Sequence, residues 1–234
     1  MKLLAVETAT EACSAALYID GEITERFSLT SNEHTKLILP MIDNLMSEAG
    51  LRPQQLDALA FGCGPGSFTG VRIATGVIQG IAFGADLPVV PVSTLAAITQ
   101  DYFDSNDTKE QNTAFTTIDA RMGEIFWGVY KSDELCYAML IGKETVTLAE
   151  DIEFPDLNGI GLGSGWGAYE RQLMSRLAGK VDYFEVDARP RARAVARLGA
   201  RGFELGLGVD VEFAMPVYLR DKVAKTEAER QQAG

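Results

Sequence analysis

Residues 62–86 read GCGPGSFTGVRIATGVIQGIAFGAD, and three of the first five are glycines. A glycine loop that leads from a strand into a helix exposes backbone N–H groups at the helix N-terminus, where phosphate and other anions bind. The loop has no lysine, so it is not a P-loop, and its G-x-G-x-G spacing departs from the dinucleotide fingerprint. Taken alone, the loop is better explained as a tight turn in which glycine supplies positive φ.

Polar residues elsewhere keep a nucleotide site open as an interpretation. Glu7 and Asp119 each end a predicted strand, a position from which a carboxylate could hold a metal–nucleotide in a cleft. Acids at strand ends are equally ordinary in proteins without such a ligand. The candidate nucleotide- or anion-binding residues are Thr8, Gly64, Gly66, Ser67, Asp119 and Arg121.

The helix predicted after the loop carries Gly76, Gly80 and Gly84, which share one face because they are four residues apart. Each glycine costs about 0.5–1 kcal/mol of helix stability relative to alanine, or about 1.5–3 kcal/mol for the three together. We expect the close approach of another backbone to offset this cost. The approaching element is either the protein's own sheet or the helix of a partner protein.

An earlier helix, predicted over residues 34–49, is apolar on more than one side. The first apolar row is Leu37 and Met41, and the second is Ile38, Ile42 and Leu45. A helix with more apolar surface than one core needs tends to contact a second surface as well. Pro40 lies inside this pattern and should bend the helix or mark its start.

Other reactive side chains give weak signals. His34 is the only histidine, so a zinc pair of the H-x-x-x-H type is impossible. GPGSFTG is not a G-x-S-x-G elbow, and His34 fits a capping or surface role better than a catalytic triad. Cys63 lies beside a helix N-terminus that could lower its pKa, but a small buried residue is favoured. An i, i+4 stripe on the last predicted helix contains Arg193, Arg197 and Arg201. These side chains could contact phosphate, but a helix face exposed to solvent is the favoured interpretation.

The composition is that of a folded, acidic protein. The 234 residues are 47% hydrophobic and 23% charged, enough for one large domain or two small ones. The net charge of −12 repels phosphates, so the chain alone is a poor tRNA or DNA binder. Three scattered cysteines favour neither a disulfide scaffold nor a zinc ribbon. Without a signal peptide or a run of ~20 apolar residues, we expect a cytoplasmic protein with no membrane span.

Two parts of the chain repeat one order of elements. In each, a strand that ends in an acid leads into a hairpin, and a later strand enters a glycine loop and a helix. Asp20-Gly21 is the strongest hairpin signal, and Ser93 is a plausible helix cap. The polar segment DSNDTKEQN (104–112) separates the two parts, which we place at residues 1–104 and 105–234. The pattern predicts a duplicated α/β fold with a ligand cleft between its halves.

Five segments occur in the order HTKLILP (34–40), GPGSFTGVR (64–72), VSTLA (92–96), DARMGE (119–124) and PVYLR (216–220). Together they resemble the TsaB (YeaZ) family over nearly the whole chain. The resemblance implies the actin-like, sugar-kinase/Hsp70-type ATPase (ASKHA) fold, with two related α/β halves and mixed sheets. It also implies a non-catalytic subunit that pairs with TsaD, a paralogue that carries the metal-binding histidines. With TsaE, such a pair supports transfer of the threonylcarbamoyl group from threonylcarbamoyl-adenylate to N6 of adenosine 37 in ANN-decoding tRNAs.

The resemblance places the pairing surface on the helices over residues 34–49 and 67–84. The interface residues it implies are His34, Leu37, Ile38, Met41, Leu45, Arg72, Ile73, Gly76, Val77 and Gly80. It implies no cofactor or metal of the chain's own, with ATP or ADP and Mg²⁺ only in the complex. Contact with tRNA then occurs only through the complex, and a homodimer is an open alternative in isolation.

The sequence departs from the family pattern in three places. Glu7 stands where aspartate is usual, which weakens nucleotide binding by the chain alone, and Cys63 stands where arginine is common. The tail after Arg220 lacks the usual ending and has the composition of a frayed, polar helix. A stand-alone ATP-binding enzyme of the actin-like fold is the alternative function. A metallopeptidase is strongly disfavoured, because the chain has one histidine.

Overall fold

The computed structural model describes residues 1–30, 32–106 and 112–220, which form two five-stranded β-sheets with helices packed against them. Three sequence predictions fall outside these residues. They concern Ser31, which with Asn32 and Glu33 is a candidate cap for the helix predicted over residues 34–49, most of the polar segment between the halves, and the helical tail from residue 221 onward.

The first sheet is built from the N-terminal part of the chain. Its strands are β1 (Lys2–Glu7), β2 (Ala12–Ile19), β3 (Glu22–Leu29), β4 (Ala58–Gly64) and β5 (Val89–Ser93). Its helices are α1 (His34–Glu48), α2 (Phe68–Ala85) and α3 (Thr94–Ser105). Both α1 and α2 pack on one face of the sheet, around a core that includes Leu59, Phe61 and Ile78.

The second sheet follows in the C-terminal part. Its strands are β6 (Thr113–Arg121), β7 (Glu124–Ser132), β8 (Ala138–Leu148), β9 (Gly159–Leu162) and β10 (Val181–Glu185). The helices of this part are α4 (Ser164–Ala168), α5 (Glu170–Arg176) and α6 (Ala192–Glu204). Short 3₁₀ helices cover Pro53–Gln55 and Val211–Phe213.

The two sheets have one topology. The strand order is β3-β2-β1-β4-β5 in the first sheet and β8-β7-β6-β9-β10 in the second. In both, the first three strands pair antiparallel as a meander, and the first, fourth and fifth pair parallel. The predicted duplication of an α/β unit with mixed sheets is therefore confirmed.

Local sequence signals account for most element boundaries. Asp20 and Gly21 both have positive φ and connect β2 to β3, as the hairpin signal predicts. The Ser67 hydroxyl accepts a hydrogen bond from the N–H of Gly70, and Ser93 caps α3 in the same way. Helix α1 runs from His34 through Pro40, so the proline does not mark its start.

The late helix α6 returns to the first half of the molecule. It packs on the face of the first sheet opposite to α1 and α2, where its alanines contact Leu3, Ala5 and Ala60. A Cβ added at Gly199 would lie 2.5 Å from the Ala60 Cβ, so glycine permits this close packing. The division at residues 104 and 105 remains a prediction, but the first half is completed by a helix from beyond it.

Several contacts join the halves, and two of them lie near the strands and helices described above. Glu144 on β8 accepts hydrogen bonds from the hydroxyls of Ser93 and Tyr130. Residues 214–220, which we name the strap, lie across the first half and reach the second. At its start the Ala214 carbonyl accepts a hydrogen bond from Gln79, and at its end Arg220 pairs with Glu124.

Among the described residues, α2 is the one helix long and apolar enough to cross a membrane by length and composition, although core helices of soluble proteins pass the same test. This helix connects β4 to β5, two parallel neighbours in the first sheet. One face of α2 packs into the core through Val71, Ala74 and Ile78. Its high hydropathy thus reflects a buried face combined with an apolar outer face.

Candidate functional site

The outer face of α2 is open along its glycine row. A Cβ added at Gly76, Gly80 or Gly84 would meet no atom within 4 Å, so the protein's own sheet does not approach there. Phe83, beside this row, is 82% exposed. Of the two explanations for the glycines, close packing within the chain is excluded for the described residues, and a surface for another molecule remains.

Helix α1 adds apolar surface beside this row. Leu37 and Met41 of α1 and Ile73 and Val77 of α2 are half-buried and rest on the core below them. We name the surface formed by these four residues with Arg72, Gly76, Gly80, Phe83 and Gly84 the α1–α2 face.

Three predicted interface residues lie elsewhere. Ile38 and Leu45 are buried in the core, so the second apolar row of α1 packs against the first sheet. A partner could not contact these two side chains without unpacking that core, and they are removed from the predicted surface. His34 lines the cleft between the halves, where its Nε2 lies 2.9 Å from the carbonyl oxygen of Thr10.

Arg72 is held in place by two aromatic rings. Its guanidinium carbon lies 3.7 Å from the centroid of the Phe68 ring and 6.0 Å from that of Tyr218 on the strap. Its Nε donates a hydrogen bond to the Tyr218 hydroxyl over 3.0 Å. The sequence predicted Arg72 as a surface residue but missed the roles of Phe68 and Tyr218. In the sequence, Tyr218 stood out only as part of the segment PVYLR, and this segment does not indicate a contact with α2.

A cleft of about 720 Å³ lies between the two halves and the strap. Its lining includes Gly66, Ser67, Asp119 and Arg121, four of the six candidate anion-binding residues. Asp119 accepts hydrogen bonds from the backbone N–H of Arg121 and from the Tyr169 hydroxyl, and it pairs with the Arg121 guanidinium. The Asp119 carboxylate, which the sequence suggested as a ligand-binding group, is thus largely occupied by contacts with neighbouring residues.

The glycine loop packs against its own chain. A Cβ at Gly66 would lie 2.4 Å from the carbonyl oxygen of Ala9, and one at Gly70 would lie 2.0 Å from that of Thr8. The N–H of Ser67 donates to the Ala9 carbonyl over 2.7 Å, so this helix-terminal donor is already used. The glycines allow the loop to approach the turn after β1, which is the role of a structural turn.

The other two candidates, Thr8 and Gly64, do not line the cleft. Thr8 is buried, and its hydroxyl donates to the carbonyl of Gly70 over 2.7 Å. Gly64 is covered by the strap, because a Cβ there would lie 2.8 Å from the carbonyl oxygen of Val217. Both residues support the loop rather than a ligand.

Beneath this turn lies a buried acid. The Oε1 of Glu7 accepts a hydrogen bond from the N–H of Ala9 over 2.6 Å, whereas its Oε2 has no partner. Burial, opposed by hydrogen bonds from the turn, raises the pKa of Glu7 to about 7. Gly62 on the neighbouring strand leaves room for this carboxyl group, because a Cβ there would lie 1.8 Å from Oε2.

Cys63 and the arginine stripe have structural explanations. Burial, reinforced by the negative charges of Glu144 and Glu7, raises the pKa of the Cys63 thiol to about 12, so it is not an activated nucleophile. On α6, the predicted stripe pairs with carboxylates instead of only facing water. The ion pairs are Arg193 with Asp101, Arg197 with Asp104, and Arg201 with Glu204.

No group of three or more His, Cys, Asp or Glu side chains within residues 1–30, 32–106 and 112–220 could hold a metal ion. The described part of the chain therefore presents two features with functional potential. They are the open α1–α2 face and the cleft between the halves.

Two duplicated α/β units with a cleft between them define an actin-like protein of the sugar-kinase/Hsp70 (ASKHA) class. The sequence profile of the family described as "TsaD: tRNA N6-adenosine threonylcarbamoyltransferase" matches residues 28–169. A protein of Escherichia coli (strain K12), named "tRNA threonylcarbamoyladenosine biosynthesis protein TsaB", is 40% identical over 230 residues, 96% of each chain. A Haemophilus influenzae protein of the same name is 37% identical over 232 residues, 95% of each chain.

A solved structure, described as YeaZ from Pseudomonas aeruginosa, has a TM-score of 0.85 and 37% identity to this chain. The alignment covers 93% of this chain and 99% of that one. The chain therefore belongs to the TsaB (YeaZ) family, as the five sequence segments indicated.

Proposed function

We propose that this chain takes part in the synthesis of threonylcarbamoyladenosine in tRNA as a non-catalytic subunit. In this proposal it binds a TsaD-type protein through the α1–α2 face, works with TsaE in the cytoplasm, and contacts tRNA only within the assembly. Any ATP, ADP or Mg²⁺ is then bound in the complex rather than by this chain alone. The names of the Escherichia coli and Haemophilus influenzae relatives support the pathway.

The observation that carries the proposal is the open glycine row. Glycines inside a helix lower its stability, and nothing in the described residues uses the space above Gly76, Gly80 and Gly84. A partner helix that crosses there could bring its backbone close to α2, which larger side chains would prevent. The net charge of −12 also disfavours direct tRNA binding by this chain and supports a role through a partner.

Burial of apolar surface alone contributes too little free energy to hold such a complex together firmly. Full burial of four side chains such as those on the α1–α2 face contributes ~6–12 kcal/mol, and about two thirds or more of that is already realised in the folded chain, because all four are mostly covered. The remaining ~2–4 kcal/mol at most compares with an association cost of ~4–15 kcal/mol. A loosely fitting surface would not bind, so the close approach over the glycine row must supply part of the affinity.

Gly80→Leu tests this face directly. Because the space above Gly80 is open, the variant should fold with at least wild-type stability, and it should lose at least about 100-fold in affinity for the TsaD-type protein. Gln172→Leu, an exposed position on α5, adds the same side chain far from the face and is the matched control. Calorimetric titration and thermal unfolding of each variant separate binding from stability. Wild-type affinity in a folded Gly80→Leu variant would refute the proposed face.

The pathway is tested in the host. Depletion of this chain should lower N6-threonylcarbamoyladenosine in bulk tRNA, measured by mass spectrometry of nucleosides. Wild-type chain and Gln172→Leu should restore the modification, and Gly80→Leu should not. An unchanged level of the nucleoside after depletion, with the TsaD- and TsaE-type proteins present, would remove this chain from the pathway.

A stand-alone ATP-binding enzyme is the second candidate, because a cleft of about 720 Å³ separates the halves. The packed glycine loop and the internally paired Asp119 count against it. Titration of the purified chain with Mg²⁺–ATP tests this candidate. Stoichiometric heat that disappears in Ser67→Arg, which fills the cleft, would favour an enzyme, whereas the absence of heat supports the subunit.

A further inference from the structure

Arg72 differs from most other arginines of the described chain in having no acidic partner. Within residues 1–30, 32–106 and 112–220, no carboxylate oxygen lies within 4 Å of its guanidinium nitrogens, and it is exposed on α2. By contrast, Arg189, Arg191 and Arg193 each form an ion pair with aspartate or glutamate. Arg52, Arg171 and Arg176 also lack an ion-pair partner among the described residues, but of these four arginines only Arg72 belongs to the α1–α2 face.

The surroundings of Arg72 fix it without neutralising it. Phe68 lies under the guanidinium plane, and the Tyr218 hydroxyl accepts its Nε–H, so the side chain has lost much of its rotamer freedom. Tyr218 itself is held against Phe68, with ring centroids 5.8 Å apart. The four N–H groups on the two Nη atoms are left for another acceptor.

Its position relates this cation to the α1–α2 face. Arg72 lies four residues before Gly76 and eight before Gly80, on the same side of α2 and about 6 Å along the axis from the first of them. A helix that crosses closely over the glycines therefore passes within reach of the guanidinium.

We infer that Arg72 is the specificity anchor of the α1–α2 face, and that the partner it fits carries an aspartate or glutamate carboxylate opposite the guanidinium. This inference rests on the proposed function, because it takes the α1–α2 face as the binding site. A planar, pre-ordered guanidinium and a carboxylate form two parallel hydrogen bonds, which gives geometric selectivity that apolar contact lacks. Partners without the acid would leave the cation desolvated and unpaired, and they are rejected.

The test measures the affinity of the full chain for the TsaD-type protein of the same host by calorimetric titration. Arg72→Gln should weaken binding by about 10- to 100-fold. Arg72→Lys should weaken binding nearly as much, because lysine keeps the positive charge but cannot form two parallel hydrogen bonds with one carboxylate. Tyr218→Phe, which frees the guanidinium, should lose several-fold. Arg171→Gln, an exposed arginine on α5, is the matched control and should stay within about twofold of wild type.

A second measurement identifies the acid. Each aspartate and glutamate on the contact surface of the partner is replaced by its amide, and each variant is combined with Arg72→Gln in a double-mutant cycle. One carboxylate should show a coupling of at least about 10-fold with Arg72, and the others none. Thermal unfolding of every variant verifies that the proteins are folded.

The outcomes separate the two proposals. If Gly80→Leu abolishes binding but Arg72→Gln stays within about twofold of wild type, or if no carboxylate couples to Arg72, the anchor is refuted and the binding face stands. If wild-type chain does not bind the TsaD-type protein, the proposed function fails, and the inference fails with it. If the chain pairs with itself through Arg72 instead, shown by a dimer that Arg72→Gln dissociates in light scattering, the partner assignment is overturned.

Discussion

Replacing Glu7 by glutamine should make the protein more stable at neutral and alkaline pH. Its carboxyl group is fully buried, one oxygen lacks a hydrogen-bond partner, and its pKa is raised to about 7 by burial. Glutamine has nearly the same shape as the neutral acid and keeps an oxygen that can accept the N–H of Ala9. It removes the possibility of a buried negative charge at this position.

The size of the effect follows from the two pKa values. Between the ordinary value of 4.5 and the folded value of about 7, the folded state retains a proton that the unfolded state has released. The free energy of unfolding of the wild type therefore falls as the pH rises through this window, and the loss is complete above it. At about 1.4 kcal/mol per pKa unit, the full penalty is about 3 kcal/mol.

Urea unfolding of wild type and Glu7→Gln at pH 5 and pH 8 measures the effect. Differences that do not depend on pH, such as a changed hydrogen bond, cancel in this comparison. The stability advantage of the variant should grow by about 2–3 kcal/mol between the two pH values. Glu150→Gln, at an exposed turn position after β8, should show no such change.

This reasoning would be refuted if the free energies of unfolding of the two proteins changed in parallel with pH. If the difference between wild type and Glu7→Gln is the same at pH 5 and pH 8, the carboxyl group keeps an ordinary pKa in the folded state. Water or a rearranged turn would then have to solvate its second oxygen, in conflict with its burial beside Gly62.

Two further substitutions and one labelling experiment test other parts of the structure. Gly76→Ala should raise the free energy of unfolding by about 0.5–1 kcal/mol in a urea titration, because the added methyl group enters open space; a loss of stability would mean that the space is filled. Gly70→Ala should lower it by about 2–4 kcal/mol, since its Cβ would lie 2.0 Å from the Thr8 carbonyl oxygen; wild-type stability would contradict this packing. Ellman's reagent should label one thiol, that of the exposed Cys136, in the native protein and all three in urea; rapid labelling of a second thiol in buffer would contradict the burial of the others.

Much of the fold could be predicted because local signals and global topology agree. The Asp20-Gly21 turn, the Ser93 cap and the apolar strands each specify one element without help from distant residues. The strand β10 was missed because its five residues alternate weakly, and its place beside β9 depends on tertiary pairing. That α6 packs on the first sheet could not be read from a pattern that shows only that it is amphipathic.

The candidate site was predictable where it depends on one element and not where it joins several. The spacing of Gly76 and Gly80 on α2 indicated a surface for close approach, and their open space agrees with it. Periodicity placed Ile38 and Leu37 on one apolar helix but could not tell which row faces the core. The contact of Tyr218 with Arg72 spans 146 residues of sequence, a distance over which no local pattern carries information.

That separation also affects the order in which the proposed binding face forms during synthesis of the chain. Helices α1 and α2 are synthesised before the strap, which steadies Arg72, and before α6, which covers the back of the first sheet. An incomplete nascent chain exposes the alanine-rich back of its first sheet and presents an arginine that still moves freely. The proposed binding face is thus complete only after Tyr218 has been synthesised and has left the ribosome.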